Sequence, residues 1–481
     1  MAGGLMQLVA YGAQDVYLTG QPKVTFFQAV YKRHTNFAME NIQQTVNGTA
    51  TNSGRVSVTI ARNGDLVGNM YMAIPSNSSA VAQNLFSTNA QVDVCWLAER
   101  AISAVELTIG GQRIDKHYQT WFRLYAEVFL GESDKIAYGK MTSSPQPLSD
   151  PTNSYSKTYV YLPLLFFFNR NPGLYLPLIA LQYHEVRLDF DLTSYITNYF
   201  GSNPSFEIWA NYVYLDTEER RRFAQKGHEY LIEQVQHTGG DSLTASASAS
   251  TSTVRLSFNH PVKELIWCYQ NSAAPTSTQN TNTMWNFSSN MANVNVTCST
   301  QPLLLGPVLP HAIGAPHLFV STAPIIGAIA SVTQNQLNAV SNILFNASNT
   351  TGQVTSNIFW VEEGASNGTA GSACEVGPLG TFKLILNGQD RFKEQLGKYF
   401  NQYQPYIYHT GTPYPGIYVY SFALQPEEHQ PTGTCNFSRI DNAQVSLNMK
   451  QTNPSGLQKM FAINYNILRI QSGMGGLAFS N

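Results

Sequence analysis

Two short stretches in the first half of this 481-residue chain are matched, in the same order, by two stretches in the second half. Leu107-Thr-Ile-Gly-Gly-Gln-Arg113 parallels Leu384-Ile-Leu-Asn-Gly-Gln-Asp-Arg391. Gly173-Leu-Tyr-Leu-Pro-Leu-Ile-Ala-Leu-Gln182 parallels Gly416-Ile-Tyr-Val-Tyr-Ser-Phe-Ala-Leu-Gln425, with Gly, Tyr, Ala, Leu and Gln identical in register. One such match arises easily by chance; two in order predict an internal duplication, and therefore two tandem domains of one type. Gly-Gly and Asn-Gly supply the positive φ angles of a two-residue hairpin turn. Each copy of the first pair thus reads as strand, tight turn, strand.

The dominant apolar period is two, that of a strand with one buried face. Val56-Ser-Val-Thr-Ile60, Val105-Glu-Leu-Thr-Ile109, Val186-Arg-Leu-Asp-Phe-Asp-Leu192, Val254-Arg-Leu-Ser-Phe258 and Val445-Ser-Leu-Asn-Met449 alternate without a break. The runs Tyr159 to Phe168 and Phe206 to Leu215 are aromatic and nearly continuous, which predicts strands buried on both faces. Helical spacing is credible in two places. One is Tyr118 to Leu130. The other is Asp216 to Gln225, where Asp216 or Thr217 caps and Glu218 and Glu219 fill the first turn. The expected fold is all-β, with two tandem eight-stranded jelly-roll β-sandwich domains and few short helices.

The charged helix marks the boundary. An N-terminal arm over 1–24 leads to a first strand candidate, Val24 to Val30. The first jelly roll is then expected over 25–215, a linker with a short helix over 216–238, and the second jelly roll over 239–481. Gly239 to Thr253 is rich in Ser, Ala and Thr and reads as a loop. Between Glu264 and Glu362 there is no Asp, Glu, Lys or Arg. Disordered segments are usually more charged, so this stretch predicts long insertions on the second domain, at about 272–380.

Charge is scarce throughout. Asp, Glu, Lys and Arg make up 12% of the chain, about half the usual share. The 28 basic and 30 acidic residues leave a formal charge of −2, without the basic excess that wrapping nucleic acid requires. A polar, weakly charged surface suits packing against copies of itself, because each charge buried in an interface costs desolvation. A β-rich protein with Ser/Thr/Asn loops has the same composition. Cys95, Cys268, Cys298, Cys374 and Cys435 are far apart, which argues against a disulfide framework or a zinc site and fits a reducing compartment. The start has no Lys or Arg before Lys23 and so lacks a signal peptide's basic region. The apolar stretch Leu318 to Val332, broken by Pro324, is shorter than the roughly 20 residues of a spanning helix.

Motifs with chemistry are few. Gly364-Ala-Ser-Asn-Gly368 fits the serine-hydrolase pattern but lies among small residues, not between a strand and a helix. His184-Glu185 lacks the second His of a zinc helix, and Gly139-Lys140 lacks the spacing and hydroxyl of a phosphate loop. Asp189 and Asp191 share a strand face, as a glycosidase pair or as solvent-facing residues. Arg220, Arg221 and Arg222 form a phosphate contact or a solvated face paired with Glu218 and Glu219. No catalytic, cofactor-binding or metal residues are expected. Asn-x-Ser/Thr sequons occur at Asn47, Asn77, Asn286, Asn295, Asn346, Asn349, Asn367 and Asn436. The glycosylation candidates are Asn286, Asn295, Asn346, Asn349 and Asn367, although an Asn/Ser/Thr-rich chain also produces such triplets by chance.

Several segments resemble the major capsid proteins of algal large DNA viruses. They include Val9-Ala-Tyr-Gly-Ala-Gln-Asp-Val-Tyr-Leu-Thr-Gly20, Thr25-Phe-Phe-Gln-Ala-Val-Tyr-Lys-Arg-His-Thr-Asn-Phe37, Ile109-Gly-Gly-Gln-Arg-Ile-Asp-Lys-His-Tyr118, Leu181-Gln-Tyr-His-Glu-Val186, Asn387-Gly-Gln-Asp-Arg-Phe392 and Gly433-Thr-Cys-Asn-Phe-Ser-Arg-Ile-Asp-Asn442. The likeness covers most of the chain and fails over roughly 272–380. It implies two jelly rolls per chain, homotrimeric pseudo-hexameric capsomers and an icosahedral shell around double-stranded DNA. It also implies assembly in the host cytoplasm, contacts with neighbouring capsomers and with minor capsid proteins beneath the shell, and no direct contact with nucleic acid. Outward loops would carry glycans and meet the host surface. A minor capsid paralogue of the same fold stays open. So do a double-jelly-roll glycan-active hydrolase and an adhesin or lectin, both of which would need an export signal.

Overall fold

The computed structural model describes residues 12–76, 96–142, 158–194, 196–201, 203–243, 250–271, 287, 294–297, 318–321, 357–358, 377–411, 413, 416–449 and 456–479. The chain divides into two units, Met1–Phe37 and Ala38–Asn481. In the first, Val16–Thr19 forms one helical turn, and Tyr17, Leu18, Phe26, Phe27, Val30 and Tyr31 are exposed. No strand forms over Val24 to Val30. The first strand begins at Phe37.

Among the described residues, sixteen strands build the two barrels. The first eight are β1 (Phe37–Gln44), β2 (Arg55–Thr59), β3 (Leu66–Ser76), β4 (Ile102–Ile109), β5 (Gln112–Tyr118), β6 (Thr158–Pro163), β7 (Val186–Leu192) and β8 (Glu207–Leu215). The next eight are β9 (His228–Leu243), β10 (Ser250–Leu256), β11 (Pro261–Asn271), β12 (Leu379–Leu386), β13 (Gln389–Asp390), β14 (Ile417–Ser421), β15 (Ala443–Met449) and β16 (Gly456–Gln471). The first set forms sheets in the order β1-β8-β3-β6 and β2-β7-β4-β5. The second set forms β9-β16-β11-β14 and β10-β15-β12-β13. Adding eight to each label of the first set gives the second, so the two barrels share one jelly-roll topology.

The matched hairpins are equivalent elements. Ile109 pairs with Gln112 across Gly110-Gly111, and Leu386 pairs with Gln389 across Asn387-Gly388. All four turn residues have positive φ, as this turn type requires. The second matched pair is different. Residues 173–182 hold the two-residue strand Leu176–Pro177, which pairs with Leu66 and Val67 of β3. Residues 417–421 form β14, whose counterpart in the first barrel is β6. That likeness is one of composition, a glycine entering an apolar run beside a central strand. The duplication rests on the topology and the hairpins.

The alternating segments behave as their period dictates. In β15, for example, Ala443, Val445, Leu447 and Met449 are buried and the residues between them are not. The aromatic runs do not. In β6, Val160 and Leu162 are buried while Tyr159 and Tyr161 are exposed, and Phe167–Arg170 is a helical turn. In β8 the buried positions also alternate up to Tyr212. Aromatic rings tolerate both an interior and a half-exposed place, so their run hid a one-sided strand.

Helix α1 (Gln119–Phe129) forms where helical spacing predicts it. Helix α2 (Glu132–Thr142) follows it and contains Gly139 and Lys140. Helix α3 (Thr217–Gln225) has Asp216 at its N-cap position. The remainder of the expected linker, from His228, is already β9, as are residues 239–243 of the expected loop. Fourteen residues of β9, from His228 to Leu243, pair with β16. A long partner strand pairs with one side of it, which overrides the weak local preference of Ser and Gly. Within the insertion, three short strands, Val294–Thr297, Leu318–Ser321 and Asn357–Ile358, pair with one another.

Candidate assembly surfaces

The sheet β9-β16-β11-β14 has two buried faces. Leu265, Trp267, Tyr418, Tyr420, Met460 and Ala462 line the core of the second barrel. The residues between them, Ile266, Cys268, Ile417, Val419, Phe461 and Ile463, belong to the same apolar cluster as the core of the first barrel. Strand β5 and helix α1 of the first barrel cover this outer face. The Trp121 and Phe461 rings are 5.7 Å apart, and those of Tyr118 and His237 are 5.0 Å apart. Lys459 Nζ donates to Thr120 Oγ1 at 3.1 Å, and the Gln234 amide donates to the Ile114 carbonyl.

Several charged groups in this seam are paired. Glu233 accepts from Lys263 Nζ at 2.6 Å and from Arg170 at 3.1 Å, beside a cavity of about 400 Å³ also lined by Tyr125, Phe129 and His429. The buried His409 ring presents Nε2 to Glu264 at 2.9 Å and Nδ1 to Glu427 at 3.3 Å. Two carboxylates facing two ring nitrogens call for the doubly protonated imidazolium. Burial alone would lower its pKa, but the two carboxylates outweigh burial and raise it to about 9. Its ring meets Phe129 edge-on at 5.1 Å. In the first barrel, Arg123 lies 4.0 Å over the Trp96 ring, between Glu99 at 3.6 Å and Glu127 at 3.0 Å. Burial pushes the Glu99 carboxyl up. Asp115 accepts from Val235 N at 3.1 Å and holds His117 at 2.9 Å. Glu233 with Lys263 and His409 with Glu264 escape sequence reading because the partners are distant in the chain, whereas Arg123 with Glu127 and Asp115 with His117 are near neighbours whose burial no local pattern shows. The available signal is charge inside an apolar run, as in Pro261-Val-Lys-Glu-Leu-Ile-Trp267.

The equivalent outer face of the first barrel's sheet, β1-β8-β3-β6, carries partly exposed aromatic side chains. Trp209 registers with Tyr71, and Tyr161 with Ala73, so these side chains share one face with Tyr159. Tyr71 and Tyr161 pack edge-on at 5.8 Å, and Tyr161 stacks on Tyr159 at 6.2 Å. Tyr161 is 39% exposed. In the second barrel the segment equivalent to β5 and α1 also exposes apolar side chains: Leu396 65%, Tyr403 53%, Tyr406 83% and Ile407 50%.

The residues singled out by motif do not converge. Asp189 is held by Ser57, Arg187 and Arg55 at 2.6, 2.8 and 3.2 Å. Burial opposes ionisation there, but these hydrogen bonds and charges prevail and lower its pKa. Asp191 lies 3.7 Å from Arg55. His184 Nδ1 lies 2.8 Å from the Gly475 carbonyl and fixes the C-terminal hairpin. Arg220 pairs with Asp65 at 3.0 Å and Arg221 with Glu218 at 3.8 Å. Among the described residues no group of three metal-ligating side chains occurs. Gly364–Gly368, Asn286, Asn346, Asn349 and Asn367 lie outside the described residues, and of Asn295 only the backbone, in the strand Val294–Thr297, is described.

Two protein families match. Residues 25–216 fit the family described as major capsid protein N-terminus, and residues 219–476 fit large eukaryotic DNA virus major capsid protein. The major capsid protein of Phaeocystis pouchetii virus is 40% identical over 535 aligned positions, covering 100% of both chains. That of Paramecium bursaria Chlorella virus 1 is 40% identical over 516, again covering 100% of both. A chain of the quasi-atomic PBCV-1 virus capsid superimposes with a TM-score of 0.69 at 35% identity, covering 95% of this chain and 100% of that one. Whole-length identity, a shared fold and the duplicated jelly roll agree: the chain belongs to the major capsid proteins of the large eukaryotic DNA viruses.

Proposed function

We propose that this capsid protein works as a homotrimer, a pseudo-hexameric capsomer that tiles the icosahedral shell of a double-stranded DNA virus assembled in the host cytoplasm. The observation that carries this reading is the repeated barrel. Two barrels of one topology, joined through a sheet buried on both faces, make six similar blocks from three chains. Head-to-tail repetition of such blocks closes into a ring when the rotation divides a full turn. Capsomers would contact one another and minor capsid proteins beneath the shell, with no direct nucleic-acid contact. The role is structural, not enzymatic: the buried acids and histidines serve as ion pairs within the fold. The domains run from the arm, through a first jelly roll ending at 215, to a second that takes in β9. The insertion at about 272–380 would form the outer crown, where Asn286, Asn295, Asn346, Asn349 and Asn367 are candidate glycan sites and the host surface would be met.

Light scattering of the purified protein should report three chains; a folded monomer at micromolar concentration would count against the capsomer. Quantitative mass spectrometry of virions should find it the most abundant shell protein, and a low copy number would favour a minor paralogue. Replacing the crown by a short Gly/Ser linker should preserve trimers and change surface glycosylation or attachment.

A further inference from the structure

We propose that the cavity beside Glu233, in the seam between the two barrels, is a binding site for a small organic anion: an oxyanion group carried on an apolar body. The site lies within one chain and does not depend on the trimer. Its occupant would tie one barrel to the other.

Both barrels line the cavity of about 400 Å³. Tyr125 and Phe129 of α1, with Phe167, Arg170, Asn171 and Leu174, come from the first; Glu233 of β9, Lys263 of β11, Glu427 and His429 come from the second. The hydrogen-bonding capacity of this wall is lopsided. Glu233 is enclosed, and both its oxygens are taken: Oε1 accepts from Lys263 at 2.6 Å and Oε2 from Arg170 at 3.1 Å. Burial works against its charge, but Arg170 and Lys263 prevail and lower its pKa. Glu427 spends Oε1 on the amide and hydroxyl of Thr410, at 2.8 and 3.1 Å, and on the His409 ring at 3.3 Å. The donors are less fully used. Lys263 is 2% exposed at its side chain and gives one of its three N–H groups to Glu233. Arg170 gives part of its five-donor fork to Glu233 and Tyr125. Asn171 spends its side-chain oxygen on the Gly173 amide at 2.9 Å, which leaves its NH2 group as a donor. His429 feels Glu233, Lys263 and Arg170 through space without a hydrogen bond to any of them. What the enclosed wall has left to offer is therefore donors, and a guest must bring the acceptors.

Charge narrows the class of guest. Arg170, Lys263 and the His409 imidazolium balance Glu233, Glu264 and Glu427. Protonation of His429 then makes the cavity positive. In the empty cavity burial lowers the His429 pKa; Glu233 opposes this, and Lys263 and Arg170 add to it. A bound anion reverses the balance, so anion and proton enter together. A cation would meet Arg170 and Lys263 instead, and an uncharged guest would forgo the charge-assisted bonds. The rings of Tyr125, Phe129 and Phe167 receive an apolar body, and the volume falls within the roughly 300–1,000 Å³ of small-molecule sites, which favour domain interfaces.

The test uses the full-length protein and benzoate as the probe. Benzamide is its uncharged isostere, and inorganic phosphate is an anion without an apolar body. Titration calorimetry reads Kd. Benzoate should bind about tenfold tighter than either, the worth of one charge-assisted hydrogen bond, and should raise the melting temperature. Its binding should tighten as pH falls from about 8 to about 5.5, the range in which a histidine takes up its proton. His429→Gln should fold normally and flatten that pH dependence. Arg170→Lys keeps Glu233 paired and should weaken benzoate about tenfold, because one fork is lost. No binding of benzoate, or equal binding of benzamide, would overturn the anion site. Phosphate binding as tightly as benzoate would overturn the apolar half of the assignment. An unchanged pH profile in His429→Gln would put the binding elsewhere and overturn the site. If Arg170→Lys fails to fold, nuclear Overhauser contacts between benzoate and the Tyr125 and Phe129 rings in the parent protein decide: their presence supports the cavity, and their absence refutes it.

Discussion

Ile266 and Trp267 are neighbours in β11, yet they belong to different cores. Ile266 packs into the cluster that fills the first barrel, and Trp267 into the cluster of the second. Trp267 stacks on Phe382 with ring centres 4.4 Å apart, while its neighbour faces the seam. One strand therefore serves as wall for one barrel and floor for the next.

Truncating these neighbours should separate the two roles. Trp267→Ala should destabilise the second barrel by about 3–5 kcal/mol, and Ile266→Ala should cost about 2–5 kcal/mol at the seam. Hydrogen exchange distinguishes them. Ile266→Ala should expose amides of α1 in the first barrel, and Trp267→Ala should expose those of β12. Equal effects on both barrels from both variants would contradict the assignment to two cores.

Arg123 is buried between Glu99 and Glu127. Arg123→Met keeps much of the volume and removes the charge. Breaking a buried ion pair from one side typically costs about 3–5 kcal/mol, so the melting temperature should fall by several degrees. The double variant Arg123→Met with Glu127→Gln should recover part of the loss. Thermal unfolding followed by circular dichroism checks both.

His409 predicts an alkaline weakness. Its folded pKa, raised to about 9, lies above the ordinary value of about 6.5. The stabilisation is therefore complete below about pH 6.5 and lost as pH rises through about 9, at a slope of one proton. The melting temperature of the parent should fall across that window more steeply than that of His409→Gln. Parallel curves for the two proteins would remove His409 as the titrating group.

The arm should matter to assembly more than to folding. Met1–Phe37 forms a unit of its own, with Phe27 99% exposed. Deleting 1–24 should leave the melting temperature nearly unchanged, and electron microscopy should find shell formation impaired. Loss of folding on deletion would place the arm in the core.

Local chemistry determined what was legible in the sequence. Gly110-Gly111 and Asn387-Gly388 announced their hairpins because positive φ is a property of those residues themselves. The alternation in β2, β7 and β15 announced one-faced strands, and Gln119–Phe129 its helix, because side-chain period follows backbone geometry. Whole-chain likeness supplied the family. Tertiary structure decided the rest. Ser- and Gly-rich residues 239–243 are strand because β16 is there to pair with them, whereas apolar Val24 to Val30 is not strand. Tyr161 and Val419 are outward residues on equivalent strands, the first exposed and the second buried, and nothing in either segment tells which barrel has a neighbour. His409 finds Glu264 across 145 residues of chain. A contact of that span depends on how the second barrel seats on α1, which no local pattern encodes.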